Sequence, residues 1–199
     1  MSMLGITLLN DLIGDRCFDA PSAILERLRQ KIKELLVQEG NSEEQKDGID
    51  MVIVIYNKTT KELLFSGANN PLYIIRNKKL MTGSELDSYA SKDNEDYQLF
   101  DLKGDKQPIG FYWTETKFTT KYIPLQKGDS IYLFTDGFVD QKGGPNNKKF
   151  LSTNFKRSLL DIQTLSMDEQ KQSLDDTLEN WRKGLAQVDD VLVMGIRIN

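Results

Sequence analysis

Histidine is absent from this chain of 199 residues. That absence removes Ser-His-Asp and Cys-His chemistry, imidazole general bases and His-ligated zinc together. Cysteine occurs once, as Cys17, so no internal disulfide can form, and a reducing cytoplasm is the expected setting. Basic residues are not in excess: 26 Lys and Arg stand against 30 Asp and Glu, for a formal net charge of -4. With no dense Lys/Arg run either, a nucleic-acid surface is not expected. No apolar window approaches the roughly 20 residues that a bilayer span needs. The apolar start, Met1 to Leu9, lacks the basic opening and small-residue cleavage site of a signal peptide. Hydrolytic chemistry left to such a chain rests on carboxylates, with a hard cation such as Mg²⁺ or Mn²⁺.

The informative stretch that remains is Ile131 to Gln141, Ile-Tyr-Leu-Phe-Thr-Asp-Gly-Phe-Val-Asp-Gln. Its β-branched and aromatic opening predicts a buried strand that ends at Asp136-Gly137, with Gly137 supplying backbone angles that other residues resist. A second acidic pair, Asp189-Asp190, directly precedes another strand-like run, Val191 to Ile198. If the two strands are neighbours, Asp136 and Asp189 converge on one cation. Aspartate is a short, hard oxygen ligand suited to that role. The competing reading is that each aspartate only forms a turn or caps a strand end. Spacing leaves both open.

Taken in order, the chain predicts a helix over Ser2 to Ile13, opening so abruptly that something upstream is expected to be missing. A second helix starts at Pro21, capped by Asp19 or Ala20, with Ile24, Leu25, Leu28, Ile32, Leu35 and Leu36 on one face and Gly40 as the stop. After a polar loop, Asn41 to Gly48, three strands are predicted as an antiparallel meander: Met51 to Tyr56, Glu62 to Phe65 and Leu72 to Arg76. Lys78 to Gly104 reads as a polar excursion, mobile or partly disordered. Lys117 to Ile123 alternates like a strand, and Pro124 to Asp129 reads as the hairpin into the run at Ile131. Gly143 to Lys149 is expected as a flexible loop. Ser166-Met-Asp-Glu169 is a capping box opening a helix whose buried face carries Leu174, Leu178, Trp181 and Leu185. The segregated groups of strands and helices predict an α+β fold, as one domain over residues 1–199.

Four segments in this order carry more than any one of them: Ser66-Gly-Ala-Asn-Asn-Pro-Leu72, Gln107-Pro-Ile-Gly110, Phe134-Thr-Asp-Gly-Phe-Val-Asp140 and Gln187-Val-Asp-Asp-Val-Leu-Val193. Together they resemble the bacterial metal-dependent serine/threonine protein phosphatases of the stage II sporulation protein E type, relatives of protein phosphatase 2C. The resemblance spans nearly the whole chain. It implies two packed antiparallel sheets flanked by helices, an α-β-β-α sandwich. Mn²⁺ or Mg²⁺ is implied as cofactor, with a cation-held water rather than a side chain as nucleophile. Carried over by position, Asp136 and Asp189 are the metal ligands, with Asp190 and Gly137 immediately around them. The implied substrate is a phosphoserine or phosphothreonine on a regulatory protein, such as an antagonist of an anti-sigma factor.

The chain departs from the family at one point. The family's bridging aspartate lies in an Asp-x-x-Gly-x-Gly stretch on an early strand, and no such stretch occurs here. The expectation is therefore a sandwich lacking its first strands and a chain of weak or no activity. A homodimer through exposed sheet edge follows from the same reading. The alternative is a phosphatase-like regulatory or binding module without catalysis. Asp50, Asn69-Asn70-Pro71, Phe111 to Trp113 and Lys148-Lys149 take plainer readings: a turn neighbour, turn geometry, core or rim aromatics, and a solvated loop.

Overall fold

The computed structural model describes residues 2–14, 20–35, 48–81 and 86–199. The expectations placed on Cys17, Asp19, Leu36, Gly40 and the 41–47 loop lie outside the described residues. In chain order the helices are α1 (Ser2–Gly14), α2 (Pro21–Leu35), α3 (Gly137–Asp140), α4 (Ser152–Asp161) and α5 (Met167–Arg182). The strands are β1 (Met51–Asn57), β2 (Glu62–Ala68), β3 (Leu72–Asn77), β4 (Ala90–Asp93), β5 (Tyr97–Leu102), β6 (Lys121–Pro124), β7 (Ser130–Phe134), β8 (Lys142–Gly143), β9 (Lys148–Lys149) and β10 (Val193–Arg197). They fall into two compact units, Met1–Pro71 with Lys103–Leu125, and Leu72–Leu102 with Gln126–Asn199. No helix among the described residues is long and apolar enough to cross a membrane.

In the first unit, α2 buries Ile24, Leu25, Leu28 and Ile32, the face expected from its spacing. Leu35, expected on the same face, is 57% exposed at the helix end. Leu25, Leu28 and Ile32 share a core with Leu8 and Leu12 of α1, Ala68, Ile109 and Phe118. The sheet has the order β1-β2-β6. β1 and β2 pair antiparallel from Met51↔Ala68 to Asn57↔Glu62, and the Asn57 side chain accepts the Thr59 and Thr60 amides to close their turn.

The three-strand meander is not formed. β3 pairs with β5 and β7, whereas β2 takes β6 as its second neighbour. The ladder stops where Asn69 adopts φ 58°, the left-handed region, and Pro71 has no N–H to extend it. Gly67 and Gly104 are needed there, because a Cβ on either would lie 2.3 or 2.7 Å from the Asn70 carbonyl oxygen.

The second unit holds a five-stranded antiparallel sheet of order β10-β7-β3-β5-β4. Tyr73, Ile75, Leu99, Tyr132 and Phe134 of the sheet pack against Phe138, Phe155, Leu159, Leu174 and Leu178 of the three helices. Phe134 meets Tyr73 at 4.6 Å and Phe155 at 4.9 Å between ring centres. Arg76 and Asp129 form a fully buried bidentate pair, at 2.8 and 2.7 Å.

Much of the expected polar excursion at 78–104 is ordered sheet. β5 lies between β3 and β4 and buries Leu99, Phe100 and Leu102. Asp101 sits in that strand because Lys156 of α4 answers its charge at 2.6 Å, a compensation invisible in the local sequence. The strand expected at Lys117 to Ile123 is confined to Lys121–Pro124. Pro124 to Asp129 is not a hairpin, since β6 pairs with β2 while β7 pairs with β3 and β10. The ends of the loop expected at Gly143 to Lys149 pair instead: β8 and β9, two residues each, form a short hairpin with residues 144–147 as its turn. Leu185 lies beyond α5 and is 43% exposed.

Candidate functional site

The apolar run of β7 ends at Phe134, and Asp136 then stands exposed at the start of α3. β10 runs antiparallel beside β7, with Val193 opposite Phe134. The end of one strand therefore meets the beginning of the other, as the sequence reading required. Asp189 and Asp190 lie just before β10 and are also exposed.

Thr135 stitches the two segments. Its amide donates to the Leu192 carbonyl at 3.1 Å, its hydroxyl donates to the Asp190 carbonyl at 2.7 Å, and it accepts the Leu192 amide at 2.9 Å. Gly137 then lets the backbones touch: a Cβ there would sit 2.4 Å from the Asp190 carbonyl oxygen and 3.2 Å from that of Asp189. The expected reason for this glycine is corrected, because it is not among the residues with positive φ. Close approach, not an unusual turn, excludes a side chain.

Local hydrogen bonds shape the acidic segment. Asp189 Oδ1 accepts the Asp190 amide at 2.7 Å, and its carbonyl accepts from Gln187 Nε2 at 2.8 Å. Behind it, Gln141 is fully buried. Its Nε2 donates to the carbonyls of Lys142 and Ala186, at 3.0 and 3.1 Å, and its Oε1 accepts the Val188 amide at 3.2 Å. Trp181 Nε1 donates to the Gln141 carbonyl at 3.0 Å. Lys149, expected in a solvated loop, pairs with Asp140 at 2.7 Å. The roles of Thr135 and Gln141 were not read from sequence. Thr135 lies within the Phe134–Asp140 segment, but nothing local announces which carbonyl a hydroxyl will reach.

The oxygen-only donors of Asp136, Asp189 and Asp190 fit a hard divalent cation in kind. In number they fall short: among the described residues no three acidic or cysteine side chains, these three aspartates included, are grouped to hold a metal ion. Two phenols have displaced titration, but both belong to the core. Burial raises Tyr73, with the Asp101 charge adding to it, and burial likewise raises Tyr132. Neither serves as a base near neutral pH.

The remaining candidates take the plainer readings. Asp50, in the first unit, accepts from Asn69 Nδ2 at 2.7 Å, and the Asn70 amide closes a tight turn onto the Ala68 carbonyl at 2.7 Å. Trp113 is 68% exposed, a rim residue packed edge-on to Phe111.

Comparison with known proteins places this arrangement. The family model for stage II sporulation protein E (SpoIIE) matches residues 1–199. The SiaA-PP2C domain of Pseudomonas aeruginosa is similar over 100% of this chain and 69% of that one, with 24% identity and a TM-score of 0.75. The catalytic domain of the serine threonine protein phosphatase PstP, in complex with 2 manganese ions, matches 100% of this chain and 80% of its own, at 16% identity and a TM-score of 0.59. The manganese-presoaked phosphatase domain of the cell fate determinant SpoIIE from Bacillus subtilis matches over 98% and 73%, at 12% identity and a TM-score of 0.53. No curated protein matches. At these identities the structural likeness is one of fold, the α+β arrangement of antiparallel sheets and helices found in PP2C phosphatase domains. The match of the family model over the full length carries the assignment: the chain belongs to the SpoIIE family.

Proposed function

We propose that this chain is a metal-dependent protein phosphatase domain that acts on phosphoserine or phosphothreonine of a regulatory protein, such as an anti-sigma factor antagonist. The meeting of Gly137 with the Asp189-Asp190 backbone carries the reading, because it brings two sequence-distant acidic segments to one exposed corner. Asp136 and Asp189 would hold Mn²⁺ or Mg²⁺, with Asp190 beside them. Such a cation, when bound, lowers the pKa of water and neutralises charge on a phosphoryl group. The chain itself holds the carboxylates in place: Thr135 fixes the spacing of the two strands, and Gln141 fixes the segment that leads into Asp189.

Residues 1–199 contain no Asp-x-x-Gly-x-Gly stretch, so the carboxylate set is short and cation affinity is weak. Slow turnover follows. The short set also favours a second reading, a regulatory module that captures a phosphoprotein without hydrolysing it. Self-association through β10 belongs to the same proposal, since Leu192, Met194 and Ile196 along that edge are 57%, 51% and 41% exposed.

Thermal unfolding under Mn²⁺ titration tests the site by mass action. A saturable rise in midpoint, lost in Asp136→Asn and in Asp189→Asn, is expected. An equal rise in all three proteins removes the metal assignment. Phosphate release from a phosphopeptide, slow in the parent and absent in both variants, supports the enzyme. Capture without release supports the module.

A further inference from the structure

We propose that the second unit carries a separate site for the phosphate group of a small molecule. The site is a cleft of about 460 Å³ lined by Asn77, Lys79, Tyr97, Gln163, Thr164 and Arg197 among others, with no carboxylate in its lining.

Charge makes this cleft unusual in a chain of net charge -4. Arg197 donates to Ser130 Oγ at 3.3 Å, to the Leu165 carbonyl at 2.9 Å and to the Gln163 carbonyl at 2.8 Å. Those acceptors are neutral. A guanidinium has five N–H donors, so two remain after these three bonds and no carboxylate balances the charge among the described residues. Lys79 is exposed and likewise lacks an acid partner there. Two acids close to the lining in sequence are committed elsewhere: Asp93 pairs with Lys78 at 2.5 Å, and Asp129 pairs with Arg76 while accepting the Gln126 amide. Two cationic residues without an acid partner among the described residues thus line one cleft, together with Thr164 and Asn77. A tetrahedral dianion is the ligand that engages a fork, an ammonium and neutral donors together. The volume exceeds what a lone phosphate fills and lies in the range of small-molecule sites.

The cleft is distinct from the aspartate corner. Arg197 pairs with Ser130 at one end of the β7–β10 ladder, and Val193 pairs with Phe134 at the other. At about 3.4 Å per residue the two ends are roughly 14 Å apart.

Calorimetric titration of the full chain in EDTA tests the proposal, with inorganic phosphate and adenosine monophosphate as probes. EDTA and the Asp136→Asn variant separate this site from product binding at the aspartates, so either proposal can fail alone. Saturable binding is expected, weakened about tenfold in Lys79→Glu by loss of a charge-assisted contact, and retained in Asp136→Asn. Tighter binding of the nucleotide identifies an organic phosphate as the source, and equal binding identifies the free ion; both support the site. No saturation with either probe overturns it. So does binding unchanged in Lys79→Glu, or binding lost in Asp136→Asn.

Discussion

At Gly137 one missing carbon decides whether two segments meet. Placing a Cβ 2.4 Å from the Asp190 carbonyl oxygen forces backbone, not a flexible side chain, to move. Gly137→Ala is expected to cost about 1–3 kcal/mol in denaturant unfolding, the range for overpacking, and to weaken the Mn²⁺ response with Asp136 and Asp189 intact. An alanine variant of native stability would remove close approach as the reason for this glycine. The sequence made Asp136-Gly137 conspicuous because an apolar run stops there, and it made Asp189-Asp190 conspicuous for the converse reason. It could not distinguish a glycine kept for its φ from one kept for a neighbour, since the neighbour lies more than 50 residues away. Nor could it single out Gln141, an ordinary polar residue whose burial depends on the carbonyls of Lys142 and Ala186.

Among the elements, α5 was the most legible. Its capping box forms as read: the Glu169 amide donates to Ser166 Oγ at 3.3 Å, and the Ser166 amide donates to Glu169 Oε2 at 2.8 Å. The Ser166 hydroxyl, followed by the Ser166 backbone N–H, holds the Glu169 carboxyl below its ordinary value of 4.5. A depressed folded pKa gives stability that is complete above the ordinary value and lost as pH falls through the folded one. Ser166→Ala is expected to cost about 1 kcal/mol at neutral pH, with the deficit shrinking in urea unfolding at acid pH as the carboxyl protonates in both proteins. A deficit independent of pH would show that the ionised carboxylate takes no part. β5 was illegible for the opposite reason. Gln98 and Asp101 interrupt its apolar residues, and the strand is sustained by Lys156 on α4, whose contact no local window contains.

On the scale of the whole molecule, fold class could be read and the β7–β10 neighbourhood could be posed only as a condition, which the pairing meets, while strand assignment to sheets could not be read. Adjacent strands in sequence were taken as neighbours in space, and the left-handed Asn69 with Pro71 sends β3 elsewhere. The exposed β10 residues have a consequence at this scale. Sedimentation velocity is expected to show concentration-dependent association of the parent chain, reduced in Met194→Lys, because a charge on an edge strand opposes pairing. A parent that stays monomeric at high concentration would remove self-association through this edge. The approach to the aspartates also differs from a loose tether. With one buried amide, Gln141 clasps both the base of the β8–β9 hairpin and the stretch at 186–188. Peeling the hairpin away would therefore release the acidic shelf in the same event, so the two behave as one mechanical piece.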